Sequence, residues 1–110
     1  MPEVENHLDL NAYFIKKPAA TFFVRASGEG MRFNGIHDGD LLIVDRSRKA
    51  AHRTLILAVI QGEFTIRRFL KAGARTLLST DHPRDLGLEI TPEMEFEVWG
   101  VIAHVIHTPA

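Results

Sequence analysis

The fold of this chain is decided by the stretch FFVRASGEGMRFNGIHDGDLLIVD, residues 22–45. Its β-branched and aromatic start predicts a strand over 21–25, and its unbroken apolar end predicts a strand over 41–44 that is buried on both faces. Between the two strands, Gly28 and Gly30 allow backbone angles that other residues avoid. The stretch therefore predicts a sharp corner between two strands, which is where an enzyme could present a nucleophile.

The rest of the chain predicts further short strands separated by turns. Residues 63–70 alternate apolar and polar side chains and are expected to form the strand that partners the corner. Asp9 can cap a short helix over 10–16, which Pro18 ends. Many short strands at close spacing indicate a mainly β domain with one small helix. Other strands are predicted over 54–60, 76–79 and 94–107, the last with a bulge or bend at Gly100.

Length and composition bound the class of protein. A chain of 110 residues with 45% apolar and 25% charged side chains suits one packed domain, expected over 9–110 after a flexible lead-in over 1–8. The net charge of -1 lacks the basic excess of a non-specific nucleic-acid binder. The absence of cysteine excludes a disulfide framework, and no signal peptide or membrane-length apolar run is seen. A soluble cytoplasmic protein without a membrane partner is therefore expected.

Four sequence blocks resemble, in order and spacing, the LexA and UmuD family of self-cleaving proteins. They are ASGEGM at 26–31, DGDLLIVD at 38–45, GEFTIRRF at 62–69 and VWGVI at 98–102. The likeness covers residues 9–107 and is strongest to the UmuD branch, the accessory subunit of the error-prone polymerase made in the SOS response. It implies a LexA/signal-peptidase-like fold of coiled β-sheets with one short N-terminal helix.

The resemblance also implies where a catalytic dyad would stand. In that family a serine in the pattern Ser-Gly-Asp-Ser-Met is the nucleophile, and a lysine in the pattern Thr-Val-Lys takes its proton. Residue by residue, these positions are Gly30 and Arg67 in this chain. Glycine has no attacking atom, and a guanidinium with a pKa above ~12 cannot act as a general base. The dyad is therefore predicted to be absent, which would make the chain a pseudo-peptidase.

The substrate of this family is its own N-terminal arm, cut ahead of the domain. The chain begins too late to hold such an arm, and its Ala72-Gly73 bond is expected to lie in a turn between strands. The sequence therefore resembles the trimmed, active form of UmuD. Ser27 is interpreted as a turn residue rather than as a replacement nucleophile.

The resemblance implies a protein that acts by binding. The partners it implies are a UmuC-like subunit of a Y-family translesion polymerase, the RecA filament and a second copy of the chain, with no sequence-specific DNA binding. A homodimer would bury the apolar C-terminal strand, which would favour aggregation if it stood uncovered at a sheet edge. The dimer contacts are predicted at Trp99, Val101, Ile102, Val105 and Ile106.

Two groups of basic side chains are candidates for ion pairs within the fold or for contacts with a partner. Arg67 and Arg68 are expected to fill the vacated site by pairing with Glu29 or Glu63. A basic loop is either solvated or a contact with the polymerase or with DNA phosphates; it contains Arg46, Arg48, Lys49 and Arg53.

No metal and no cofactor are expected. His104 and His107 lie three residues apart on a predicted strand, so that their side chains point to opposite faces and cannot chelate one ion.

Two other functions remain open from the sequence. The chain could be an active Ser-Lys peptidase, or an engineered inactive copy of one, and cleavage of an arm peptide would favour that function. It could also be the dimerisation module of a LexA-like repressor. A gene position beside a polymerase gene would favour the accessory subunit instead.

Overall fold

Seven strands form one antiparallel sheet in the computed structural model, which describes residues 20–107. The mainly β prediction is confirmed, whereas the lead-in over 1–8 and the helix over 10–16 lie outside the described residues. Within those residues, no helix is long and apolar enough to cross a membrane. In chain order the strands are β1 (Thr21–Arg25), β2 (Leu41–Asp45), β3 (Leu55–Ile60), β4 (Glu63–Ala72), β5 (Arg75–Ser79), β6 (Leu88–Glu89) and β7 (Phe96–Ile106), and a short 3-10 helix spans Arg32–Asn34.

The topology places the last strand in the middle of the sheet, in the order β1-β2-β7-β3-β4-β5-β6. β7 pairs antiparallel with β2 on one side and with β3 on the other. β4 pairs with β3 and β5, so the prediction that residues 63–70 partner the corner is wrong. The two pairings use different halves of β7, since residues 101–106 pair with β2 and residues 96–101 pair with β3.

Buried apolar side chains cover both faces of the sheet. Ile56 and Leu57 are neighbours in β3, so they point to opposite faces, and they belong to separate core clusters. The burial predicted on both sides of β2 is confirmed, because Leu42, Ile43 and Val44 are at most 2% exposed. Each such side chain contributes about 1.5–3 kcal/mol by leaving water. One cluster contains Ala26, Ile36, Leu42, Val44, Leu57, Ile66 and Ile102, and the other contains Ile56, Ala58, Phe69, Leu78 and Val101.

The long strand β7 is bulged where it crosses the centre of the sheet. Leu57 pairs with Gly100, but the next residue of β3 pairs with Val98, which leaves Trp99 without a partner in β3. A second register shift lies opposite β2. A bulge bends the strand and increases its twist. The bulge predicted at Gly100 is therefore confirmed at the step from Trp99 to Gly100.

Close packing requires glycine at this bulge. Gly100 is buried, and a Cβ atom built on it would lie 2.5 Å from Cγ1 of Val44 in β2. Non-bonded carbon atoms are in contact at about 3.5–4.0 Å, so a methyl group does not fit there without moving the strands.

Gly100→Ala is expected to destabilise the domain by about 1–3 kcal/mol, because the added methyl group overlaps Val44 and pushes β2 away from β7. Urea denaturation followed by far-UV circular dichroism measures the change. Gly30→Ala is the matched control, since a Cβ there meets no atom within 4 Å, and its effect should stay within about 0.5 kcal/mol. Equal midpoints for the two variants would contradict the close packing at Gly100.

Candidate functional site

Backbone hydrogen bonds tie the corner between β1 and β2 to the turn that precedes β2. The N–H of Ala26 donates to the carbonyl oxygen of Asp40 at 2.8 Å, and the N–H of Gly39 donates to that of Ala26 at 2.9 Å. Oδ1 of Asp38 accepts from the N–H of Gly28 at 2.6 Å. Gly28 has a φ of +86°, which favours glycine. The corner is therefore a fixed loop at the end of the sheet.

Gly30 presents only backbone atoms to solvent. It is exposed, and a Cβ built on it would meet no heavy atom within 4 Å. Unlike Gly28, it does not have a positive φ, so its conformation does not require glycine. The position that the resemblance gives to the nucleophile therefore has room for a side chain and has none.

Arg67 is half-buried in β4, and its Nη1 donates to the carbonyl oxygen of Ile66 at 2.7 Å. Its charge also acts on Asp85, whose pKa is lowered chiefly by hydrogen bonds from the N–H and the hydroxyl of Thr80, with a small contribution from Arg67. A Cβ built on Gly30 would meet no heavy atom within 4 Å, so the Arg67 guanidinium does not fill the side-chain position at Gly30. The assignment of the dyad positions to Gly30 and Arg67 stays a prediction.

Asp81 joins the corner to the sheet. Its Oδ2 accepts from Arg68 of β4, at 3.0 Å from Nε and 2.9 Å from Nη2. The same oxygen accepts from Nδ2 of Asn34, in the 3-10 helix of the corner, at 2.8 Å. The pairing of Arg68 with Glu29 or Glu63 expected from the sequence is therefore wrong. Sequence analysis missed Asp81 because a loop residue has no periodicity to show which element it contacts.

A buried carboxylate links the corner to the end of the C-terminal strand. Oδ1 of Asp40, whose side chain is 2% exposed, lies 2.6 Å from Nδ1 of His107. Its Oδ2 accepts from the N–H of His37 at 2.8 Å. That hydrogen bond is the main reason why the pKa of Asp40 is lowered; burial opposes it, and His107 adds to it. Sequence analysis considered His107 only as a metal ligand and missed this pair.

Glu29 binds the outer side of the same turn. It accepts from the N–H of Asp38 at 3.0 Å, and Nδ1 of His37 lies 3.3 Å from its other oxygen. The backbone hydrogen bond lowers the pKa of Glu29, and His37 lowers it further. Within residues 20–107, no three His, Cys, Asp or Glu side chains are placed to hold a metal ion together.

Aromatic rings surround Trp99 on the surface, in a group that we call the aromatic cluster: Phe22, Phe64, Trp99 and Arg46. The ring of Trp99 lies 5.1 Å from that of Phe22 and 6.0 Å from that of Phe64. Arg46 stands 4.2 Å above the indole and donates from Nε to the Trp99 carbonyl oxygen at 2.7 Å. Phe22 is 40% exposed and Phe64 62% exposed. The cluster therefore offers apolar surface with a cation fixed beside it.

The five residues predicted to form a dimer interface do not lie on one surface. Val101 and Ile102 are 2% and 9% exposed and belong to the two core clusters. Trp99 and Ile106 are half-buried, and Val105 is 37% exposed. Only these three have surface to offer, so the predicted contacts at Val101 and Ile102 are unsuited to an interface, and the homodimer stays a prediction.

Comparison with known proteins gives a family and several curated relatives. A family model described as Peptidase S24-like matches residues 1–103. Protein ImpA of Salmonella typhimurium is 42% identical over 94% of this chain and 70% of its own length. Protein SamA of Salmonella typhimurium strain LT2 is 44% identical over 94% and 71%, and protein MucA of Escherichia coli is 39% identical over 91% and 68%. The LexA repressor of Proteus mirabilis is 33% identical over 94% of this chain and 51% of its own length.

The antiparallel sheet, the glycine-containing corner and these matches agree, and the chain belongs to the Peptidase S24-like family. The LexA and UmuD resemblance of the four sequence blocks is thereby confirmed. Within the family, the chain is a UmuD-like member.

The stability of the domain is expected to fall as the pH drops below the ordinary pKa values of 4.5 for Glu29 and 3.8 for Asp40, because folding lowers the pKa of both groups. A carboxylate whose pKa is lowered by folding stabilises the fold above its unfolded-state pKa, and that contribution is lost as the pH falls through its folded-state pKa. Asp40→Asn removes one such group, so its urea midpoint should fall less steeply from about pH 5 to pH 3 than that of the wild type.

Glu63→Gln is the control for this pH series. Glu63 is exposed, and its side chain makes no hydrogen bond with the described residues. Its acid dependence should match the wild type, and an Asp40→Asn curve parallel to both would show that the hydrogen bonds at Asp40 do not couple the fold to pH.

Proposed function

We propose that this chain is a non-cleaving, UmuD'-like accessory subunit of an error-prone translesion DNA polymerase in the SOS response, acting in the cytoplasm as a homodimeric binding protein. The observation that carries the proposal is an ordered corner with an empty side-chain position at Gly30. Relatives 39–44% identical over most of the chain support the UmuD-like branch.

The chemistry of peptide cleavage supports inactivity. The reaction of this family needs an oxygen nucleophile and a neighbouring base that can lose its proton. Even a desolvation shift of ~5 pKa units would leave a guanidinium mostly protonated at neutral pH, and Arg67 is held as a donor to the Ile66 carbonyl. Ser27 is exposed and makes no side-chain hydrogen bond with the described residues, so none of them is placed to activate its hydroxyl as a base.

Gly30→Ser combined with Arg67→Lys is expected to restore cleavage of a family-type arm peptide supplied in trans, whereas the wild type leaves the peptide intact. The serine enters open space at the corner, and a lysine, unlike arginine, can become neutral when desolvated. Mass spectrometry after prolonged incubation reads the product. The matched control, Gly30→Ala with Arg67→Lys, keeps the base position but lacks the hydroxyl and should not cleave.

The outcomes of this experiment separate the rival functions. Cleavage by the wild type would show an active peptidase and overturn the proposal. If the double variant folds but does not cleave the peptide, the absence of a serine hydroxyl at position 30 and a lysine amine at position 67 does not explain the lack of cleavage.

Polymerase binding is tested by co-purification. A tagged wild-type chain, recovered from its source cell after DNA damage, should retain a UmuC-like polymerase subunit, identified by mass spectrometry, with the RecA filament as a further partner. Two results would contradict the accessory role. One is recovery of the polymerase subunit in equal amount with an unrelated tagged protein, and the other is its absence from the wild-type sample after DNA damage.

The aromatic cluster is the surface that we assign to the homodimer. Its exposed rings lie around Trp99, one of the residues predicted for the interface, and aromatic side chains with arginine dominate binding energy at protein interfaces.

Phe64→Ser is therefore expected to weaken dimerisation by about 5- to 30-fold, since truncating a buried interface aromatic costs about 1–2 kcal/mol. Sedimentation equilibrium measures the dissociation constant. Leu86→Ser is the matched control, because Leu86 is 93% exposed and is not part of the aromatic cluster. A wild-type monomer, or equal weakening by both variants, would contradict the assignment.

A further inference from the structure

An open cavity of about 350 Å³ lies beside the second half of β4. Polar and charged side chains form most of its wall, and one apolar residue contributes the rest. The lining residues are His52, Arg53, Arg68, Leu70 and Asp81.

Arg53 has a backbone conformation that L-residues rarely adopt, with a φ of +79°. Two other described residues besides glycine share a positive φ, Gln61 at +51° and Asp81 at +66°. Their side chains support the fold, because Gln61 accepts from the N–H of Glu95 and Asp81 accepts from Arg68. Among residues 20–107, the Arg53 guanidinium has no hydrogen-bond or ion-pair partner. An unfavourable conformation with no structural use for the side chain indicates a functional use.

The backbone around Arg53 is nevertheless held firmly. Its N–H donates to the carbonyl oxygen of Phe69 at 2.7 Å, and the N–H of Phe69 donates to Thr54 at 2.8 Å. Its own carbonyl oxygen accepts from Nη1 of Arg68 at 2.9 Å. These bonds use backbone atoms of Arg53 only, so the side chain is presented at the cavity by a fixed support.

The cavity has a surplus of positive charge. The charge of Arg68 is matched by Asp81, which it contacts at 2.9 Å. Nδ1 of His52 accepts from the N–H of Lys71 at 3.0 Å, which leaves Nε2 as the donor of a neutral ring. No carboxylate in the described part of the chain matches the charge of Arg53, and Lys49, which is exposed in the same loop, has no partner there either.

We propose that this cavity binds the phosphate backbone of single-stranded nucleic acid, with Arg53 as the anchor and Lys49 as a second contact. A guanidinium forms paired hydrogen bonds with phosphate oxygens. Two unmatched cations from one loop suit a polyanion with regularly repeated charges better than a single carboxylate. Other cations of the loop are already engaged, Arg46 by Trp99 and Arg48 by Asp45. The proposal rests on the proposed function only for the source of the strand, the template that a translesion polymerase copies.

Fluorescence anisotropy of a labelled 20-nucleotide oligo-dT tests the proposal on the full chain alone. The wild type should bind, with a slope of log K against log salt of about -1.4, as two phosphate contacts predict for a single strand. Arg53→Gly should weaken binding at least 5-fold and bring the slope to about -0.7. Its Tm should be unchanged or higher, because glycine accepts the positive φ.

Arg25→Ala is the matched control for charge. It removes the same charge from β1, which three strands separate from β4, and should bind oligo-dT like the wild type. Arg53→Lys, which keeps the charge but loses the fork, should show intermediate affinity.

Three results would overturn the assignment: no binding by the wild type, equal weakening by Arg25→Ala and Arg53→Gly, or tighter Arg53-dependent binding of labelled hexaglutamate than of oligo-dT. The last would assign the cavity to an acidic protein segment. Co-purification of the Arg53→Gly variant separates the two proposals. If the variant loses oligo-dT binding but still retains the polymerase subunit, the nucleic-acid site and the accessory role are independent of each other.

Discussion

The structure depends on the insertion of the last strand between β2 and β3. In the order of strands, β1 and β2 join the rest of the sheet only through β7, so the pairing of β7 attaches the corner to the body of the domain. That pairing requires the close approach of Gly100 to Val44 and the bulge at Trp99. Trp99, the residue at this bulge, has its indole ring covered by the Arg46 guanidinium. One packing constraint therefore positions the corner and the aromatic cluster together.

Carboxylate side chains hold the corner in its shape. Asp38, Asp40 and Glu29 use their carboxylates to hold backbone N–H groups of the loop, and Asp81 ties the loop to β4. None of these hydrogen bonds involves a side chain at position 30, so the loop does not need one to keep its shape. The shape of the corner is therefore independent of what stands at position 30.

Three residues other than glycine adopt a positive φ within the described part of the chain, and they show how strain is used. At Gln61 and Asp81 the side chain forms hydrogen bonds that stabilise turns and loops. At Arg53 only the backbone is bonded, and the guanidinium is left for solvent or a ligand. The difference distinguishes a strained residue that serves the fold from one that serves binding.

The sequence alone determined every strand except the two-residue β6, the corner, the bulge at Gly100 and the family, because period-two patterns, glycines and short motifs are local features. It also predicts that the dyad positions are Gly30 and Arg67, whose side chains lack the groups for Ser-Lys catalysis. Only the tertiary structure decided which strands pair, that Val101 and Ile102 are core residues, and that Asp40 meets His107 across 67 positions of sequence. The same holds for the Asp81 contacts and the cavity at Arg53. Such contacts join residues distant in the chain, and no local periodicity encodes which distant partner a side chain meets.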